Sequence, residues 1–369
     1  MAVFFEPDFK GHRAVFLGFV LRYLGANDAS GMLAVSNDAL ESHEFEMNDI
    51  RALAGAGGVV TLGRLPLGRG SVYRRWLLDQ LGRVYASYPT EQVYVLEGDI
   101  AVGLSLRVAR EHLSRTTFLV IRRPVFIGTT LRSTISSWRK AIWLWAASIR
   151  GASIVLLGAS AAYGECLRTS RWRIAPDPVT FDGSSDLSVD YAKRLGLDPR
   201  RTWYGVFGNV VRRKNLDLIA RALADTRNPG EVGLLVAGRI TPSERDRCEP
   251  ALARLRDRGG TIVFDDRLLP TMELDAAIGA VDVAAFAQTG DSPSNIYGKA
   301  RAAGVPVVCS GSRILRRSIR ESKSGVWTKL RRKSMARAYE SAAQLPHHDP
   351  AVMCGPDDFV AALLGAPPR

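Results

Sequence analysis

The chain is poor in the residues that build metal centres and disulfides. It has four cysteines and five histidines in 369 residues. Cys166, Cys248, Cys309 and Cys354 lie far apart, with no C-x-x-C pair and no clustered histidines, so neither a zinc site nor a disulfide framework is indicated. A reducing compartment, the cytoplasm, is the setting this cysteine usage fits. Long hydrophobic runs are also missing. The nearest, Ala141 to Ile149, falls well short of the ~20 apolar residues of a membrane span. The opening Met1-Ala-Val-Phe-Phe meets Glu6 and Asp8 too soon for a signal peptide. Any membrane contact is therefore expected to be peripheral.

What is present is an ordinary folding composition: 46% hydrophobic and 24% charged residues exclude disorder as the dominant state. At ~100 to 200 residues per domain, the length predicts two domains. Lysine and arginine (50) outnumber aspartate and glutamate (37), for a net charge of +13. Only eight of the basic residues are lysines. The excess is shared by both halves, so there is no basic tail. The densest basic run is Ser312 to Arg337, where ten lysines and arginines face one acid, Glu321. Such a stretch is either a solvated helix face or an attractor of phosphates in a substrate or an anionic membrane. It has no interleaved aromatic platform and no recognisable module, so nucleic acid is not the expected partner.

Short β-branched runs alternate with longer stretches of helical periodicity, the pattern of parallel sheets wrapped by helices. Strands are predicted at Val3–Phe5, Met32–Ser36, Val59–Leu62, Val93–Leu96, Thr117–Ile121 and Ile154–Leu157. Helices are predicted at Arg74–Tyr85, Leu104–Leu113 and Ser137–Ile149, the last rich in tryptophan. The segment Ile174–Ser185, with two prolines and several turn formers, reads as a linker. The alternation then restarts: strands at Thr202–Phe207, Gly233–Ala237, Thr261–Phe264, Val281–Phe286 and Val305–Cys309, with helices at Leu216–Ala224, Ser243–Arg258, Thr271–Ile278 and Asn295–Ala303. The expected architecture is α/β, two tandem Rossmann-like doubly wound domains facing a cleft. Residues 1–178 form one, 179–345 the other, and 346–369 a tail that crosses back to the first. Ligands of such sheets bind beyond the carboxyl ends of the strands, which directs attention to three loops.

The first loop follows Thr202–Phe207 and reads Gly208-Asn-Val-Val-Arg-Arg-Lys214 before a helix begins near Asn215. Backbone N–H groups at a helix start, together with Arg212, Arg213 and Lys214, make an anion site suited to a diphosphate. The second loop is Ala287–Ser294, where Ser292, Ser294 and Asn295 sit at a helix start and either cap it or share its N–H groups with a phosphate. The third is Glu6 to Arg13 after the first strand. There Gly11 permits close approach of a ligand, His12 is a candidate acid or base, and Arg13 a candidate anion contact.

Gly208 to Leu223, the Leu234-Leu-Val-Ala-Gly238 strand, Ala280 to Phe286 and Gly298 to Val308 together resemble the C-terminal domain of group 1 (family 4) glycosyltransferases of the GT-B fold. The resemblance implies transfer of a sugar from a nucleotide-diphosphate sugar, with retention of anomeric configuration, no obligatory metal and no cofactor beyond the donor. Lys214 falls on the family's diphosphate-binding lysine. The arginine that usually follows the strand-end glycine is Asn209 here, so Arg212 or Arg213 would take its part. The family's E-x7-E motif maps to Asp291 and Lys299, a shortened acid and a cation.

On this reading Lys214 and Arg213 neutralise the leaving diphosphate, with Gly208, Asn209, Arg212, Gly238, Ser292, Ser294, Asn295 and Lys299 completing the donor contacts. Asp291 orients sugar hydroxyls, His12 touches sugar or diphosphate alongside Gly11 and Arg13, and Asp99 contacts the acceptor or acts as its base. Asp99 as a helix cap is the competing assignment. The acceptor is a sugar, a lipid-linked sugar or a small molecule. The basic stretch is a candidate contact for the inner face of an anionic membrane, and Trp138, Trp143 and Trp145 are either core or an added interfacial contact. The rival function is a non-catalytic binding or scaffold protein on the same fold, favoured by Lys299 in place of the acid.

Overall fold

Strands buried on both faces need near-continuous apolar sequence, and the chain supplies it twice. The computed structural model describes the chain apart from residues 9–11, 48, 57, 69, 122–130, 159–170, 290–293, 351–352 and 367–369; the side chains of residues 12, 44, 47, 56, 131–133 and 313 are also not described. The described residues divide into two units, Met1–Pro178 with Cys354–Arg369, and Val179–Met353.

The first unit contains strands β1 (Ala2–Phe5), β2 (Gly31–Ser36), β3 (Val59–Leu62), β4 (Gln92–Val95), β5 (Thr116–Val120), β6 (Ser153–Leu157) and β7 (Trp172–Ala175). They form one parallel sheet in the order β3-β2-β1-β4-β5-β6-β7. β1 is central: Phe5 pairs in register with Ala34 on one side and Val95 on the other. The chain therefore reverses its direction of travel across the sheet between β1 and β4. One apolar layer gathers Val3, Phe5, Leu77, Leu81 and Phe118, and another gathers Phe4, Leu17, Leu33, Leu119 and Phe359. Phe359 belongs to the C-terminal helix Pro356–Leu364, which packs on the helix His12–Ala26 with the Phe16 and Phe359 rings 4.8 Å apart. Arg173 on β7 donates to the Leu363 carbonyl near this helix's end, at 3.2 Å.

The second unit contains β8 (Thr202–Phe207), β9 (Val232–Ala237), β10 (Thr261–Asp265), β11 (Val283–Ala287), β12 (Val307–Ser310) and β13 (Gly325–Thr328). Their order is β10-β9-β8-β11-β12-β13, all parallel. Here the reversal falls between β8 and β11. Helices Leu216–Ala224, Pro242–Asp257 and Arg332–Ala342 line one face through Leu216, Ile219, Leu252 and Tyr339. Ser185–Leu195, Thr271–Gly279 and Asn295–Ala302 line the other through Tyr191, Ala277 and Ala300.

Four local expectations are corrected. Leu104–Leu113 is not one helix: a 3-10 turn, Val102–Arg107, ends at the extended Val108, and a short helix, Arg110–Ser114, follows. Arg150 holds this break by donating 2.8 Å hydrogen bonds to the carbonyls of Ser105 and Val108. The linker segment begins inside β7, so irregular chain starts only after Ala175. β13 lies within the basic stretch, where no strand was expected. Trp138 and Trp145 are each 45% exposed, whereas the core was the alternative open to them; only Trp143 is half-buried against the first unit's core.

Candidate functional site

The carboxyl ends of β8 and β11 meet at the reversal of strand order, where α/β sheets open a crevice for ligands. Immediately after β8 the backbone turns at Gly208 (φ 73°), and after β9 at Gly238 (φ 136°). The two loops run so close that a Cβ on Gly238 would lie 2.3 Å from the Gly208 carbonyl oxygen. Gly208 N–H donates to Ala237 O, and Val210 N–H to Arg239 O, both at 2.9 Å. Glycine at both places is what lets the loops approach. Asn209 is exposed at the tip, and the following turn Arg212–Lys214 presents both arginines to solvent.

Lys214 turns inward. Its ammonium donates to the Phe207 carbonyl at the end of β8, and the side chain is half-buried. It lines a small hollow open to solvent together with Phe207, Gln288, Ser294 and Ile296. Burial, assisted by the nearby Arg213 charge, lowers its pKa to about 8. Among the described residues no carboxylate pairs with this cation, and an anion in the hollow would favour its protonated form. Gln288 is 6% exposed and its Oε1 is buried without a hydrogen-bond partner. Ser294 caps the helix Asn295–Ala302, its Oγ accepting from Tyr297 N at 3.4 Å.

Asn215 fastens these loops together. In a left-handed conformation (φ 48°), it donates to Ala287 O at 2.8 Å and to Arg213 O at 3.0 Å, while Thr289 N–H reaches Arg213 O at 3.4 Å. The sequence reading took Asn215 only as a helix start and did not single out Gln288. An asparagine directly after a basic triplet, where the chain must reverse, was the available signal for the first. Gln288 carried none.

Lys214, Ser294 and Asn295 thus lie at one strand edge with Gly208, Asn209, Arg212, Arg213 and Gly238. Asp291 and Ser292 are outside the described residues. Lys299 does not line the hollow: its side chain is buried, pairs with the fully buried Asp275 at 2.6 Å, and donates to Thr180 O at 2.5 Å. Asp275 also accepts from Asp182 N at 3.0 Å. The pair therefore clamps residues 180–182, the entry into this unit, to two helices. Burial raises the Asp275 pKa, opposed by Lys299.

In the first unit a second polar cluster occupies the equivalent place, beyond the carboxyl ends of β1 and β4. Arg13 Nη1 lies 3.0 Å from Glu97, 3.2 Å from Asp8 and 3.6 Å from Glu6, and Tyr73 donates to Glu97. Glu6 and Glu97 are almost fully buried. Among the described residues Arg13 is the cation facing Glu6 and Glu97, and burial drives the pKa of Glu6 well up and that of Glu97 up, against its pull. The cluster therefore retains a proton where isolated carboxyls would lose it. Glu6 and Glu97 were not singled out from the sequence, although Glu6 directly follows β1 and Glu97 lies two residues after β4. Asp99 lies in the short helix Gly98–Ala101 and is paired with Lys140. Gly11 lies outside the described residues; His12 opens the first helix, with its side chain not described.

No family model matches the sequence, and no curated protein matches it. Solved structures do match. HepE of Anabaena, in complex with UDP and glucose, is 13% identical over 98% of this chain and 92% of its own, with a TM-score of 0.67. The fold is GT-B. Sucrose-phosphate synthase of Thermosynechococcus elongatus is 15% identical with a TM-score of 0.65, covering 99% of this chain and 94% of its own. WaaG, a glycosyltransferase involved in lipopolysaccharide biosynthesis, is 11% identical with a TM-score of 0.61, covering 94% and 91%. The GT-B likeness spans nearly the whole chain, first unit included, whereas the motif resemblance was confined to the second.

Proposed function

We infer that the chain is a glycosyltransferase that takes a sugar from a nucleotide-diphosphate donor. The observation that carries the reading is Lys214: a half-buried ammonium beside Gly208, at the strand reversal of the second unit, in a hollow it shares with Ser294 and Gln288. A diphosphate seated there receives the Lys214 charge, with Arg213 and Arg212 at its rim, and the helix Asn295–Ala302 directs its N-terminus toward it. As the glycosidic bond to the donor breaks, negative charge grows on the leaving phosphate. A cation already in place, and partly stripped of water, stabilises that charge more than it does the ground state.

Retention of configuration and independence of a metal come with the family resemblance and are part of this proposal, as are sugar contacts from Asp291 and His12. On the acceptor side we assign the first unit, with Asp99 as the candidate contact and the proton-holding Glu6–Glu97 cluster close by in sequence. UDP is the first nucleotide to test because HepE binds it. With UDP-glucose, GDP-mannose and ADP-glucose offered in turn, release of the nucleoside diphosphate from one of them is expected. Lys214→Ala should slow that release by about 10- to 100-fold, the effect of one charge-assisted contact. Equal release by the variant would refute the assignment.

The second reading, a non-catalytic binding protein on this fold, is favoured by Lys299, a buried cation where the family places a donor-contacting acid. Nucleotide binding without turnover of any donor, in the presence of a panel of sugar acceptors, would select it.

A further inference from the structure

The helix Leu131–Ile149 presents an apolar stripe to solvent. Ile135, Trp138, Ile142, Trp145 and Ile149 are each 45–59% exposed, although the same helix buries Ala141, Leu144, Ala147 and Ser148 against its own unit. Their spacing of three and four residues places all five within about 80° of arc, over a length of about 21 Å. Isolated exposed apolar residues are normal, but an aligned row that includes two tryptophans marks a surface with a partner.

Charge decides which partner. The helix has Arg132, Arg139 and Lys140 and no acid. From residue 97 to residue 158 the sequence holds nine lysines and arginines against three acids, Glu97, Asp99 and Glu111, and Asp99 is paired with Lys140. Arg139 is exposed and flanks the stripe, its guanidinium over the Trp143 ring at 5.0 Å. The 3-10 turn Val102–Arg107, packed against this helix, exposes Leu106 and Arg107 in the same mixture. A second copy laid along the stripe would bring the exposed Arg107 and Arg139 against their own kind, with the Asp99 carboxylate already paired to Lys140. An anionic lipid surface complements both features: tryptophan rings sit at the headgroup level, isoleucines reach the acyl boundary, and arginines pair with phosphates.

We propose that the Ile135–Ile149 face is a docking surface for anionic phospholipid. It lies parallel to the membrane plane, with the tryptophans and isoleucines inserted and Arg139 at the phosphates. Neither a short apolar row nor a basic patch alone gives stable attachment, but the two together do. The proposal stands apart from the sugar-transfer reading: it holds whether or not the chain turns over a nucleotide sugar, and it requires no residue of the Lys214 site.

The test is flotation of the full chain with vesicles of equimolar phosphatidylcholine and phosphatidylglycerol, and with phosphatidylcholine alone. The chain is expected to float with the first and not the second. Trp138→Ser with Trp145→Ser should weaken binding about tenfold or more, Ile142→Ser should weaken it less, and Arg139→Glu should weaken it while leaving the remainder less salt-sensitive. All four positions are at the surface, so the variants should melt as the parent does by circular dichroism. Three results would overturn the proposal. One is no flotation with phosphatidylglycerol; another is a double variant that melts normally and floats as well as the parent. The third is a parent dimer, by sedimentation equilibrium, that the double variant converts to monomer while neither binds vesicles.

Discussion

Lys214 concentrates the chemistry of the second unit because its surroundings work against its charge. Its pKa of about 8, set by burial and by Arg213, means that near neutral pH the ammonium is charged but poorly solvated. A bound diphosphate reverses that balance and raises the pKa. The free protein then loses its charge on Lys214 as pH rises through about 8, while the complex keeps it. Affinity for UDP should be nearly flat below pH 8 and fall about tenfold by pH 9, read by calorimetry at pH 7.5 and pH 9. A flat profile across that interval would place the diphosphate elsewhere. Lys299 makes the opposite case. It stands where the family resemblance called for a donor contact, yet Asp275 and the Thr180 carbonyl occupy it fully. Periodicity put Lys299 on a helix next to the donor loop but could not show which face it takes, because Asp275 is 24 residues away and Thr180 119.

At the scale of elements, the Lys299–Asp275 pair ties the helices Asn295–Ala302 and Thr271–Gly279 to the chain segment entering the second unit. Lys299→Ala would strand a buried carboxylate and leave the Thr180 carbonyl without its donor. The expected cost is about 3–5 kcal/mol, measured as a shift of the urea unfolding midpoint. The folded variant should still bind UDP with an affinity within a few-fold of the parent's. A normal midpoint with lost UDP binding would return Lys299 to the donor site. Which elements were legible follows from burial. Trp203–Phe207 of β8 and the β9 and β11 strands are apolar because both their faces are covered, and their sequences announce them. β7 and β13 are edge strands, half-buried along much of their length, and their mixed sequences resemble linker and surface helix. The break at Val108 depends on Arg150, 42 residues away, which no local pattern contains.

For the whole molecule, two parallel sheets with reversals at β1/β4 and β8/β11 create two loci, one acidic around Arg13 and one basic around Lys214. The alternation of strands and helices made that architecture readable from the sequence. The strand order did not follow from it, and without that order Glu6 and Glu97 could not be recognised as neighbours. The net charge of +13 likewise separates into parts with different uses: the cations at the Lys214 loop, the run from Arg313, and the arginine-flanked stripe of Leu131–Ile149. The central claim, that the Lys214 hollow receives a nucleoside diphosphate, is tested most directly by calorimetric titration of UDP, GDP and ADP into the parent chain and into Lys214→Ala at pH 7.5. Saturable binding of one nucleotide by the parent, weakened about 10- to 100-fold in the variant, is the predicted result; binding of none, or equal binding by both proteins, would contradict it.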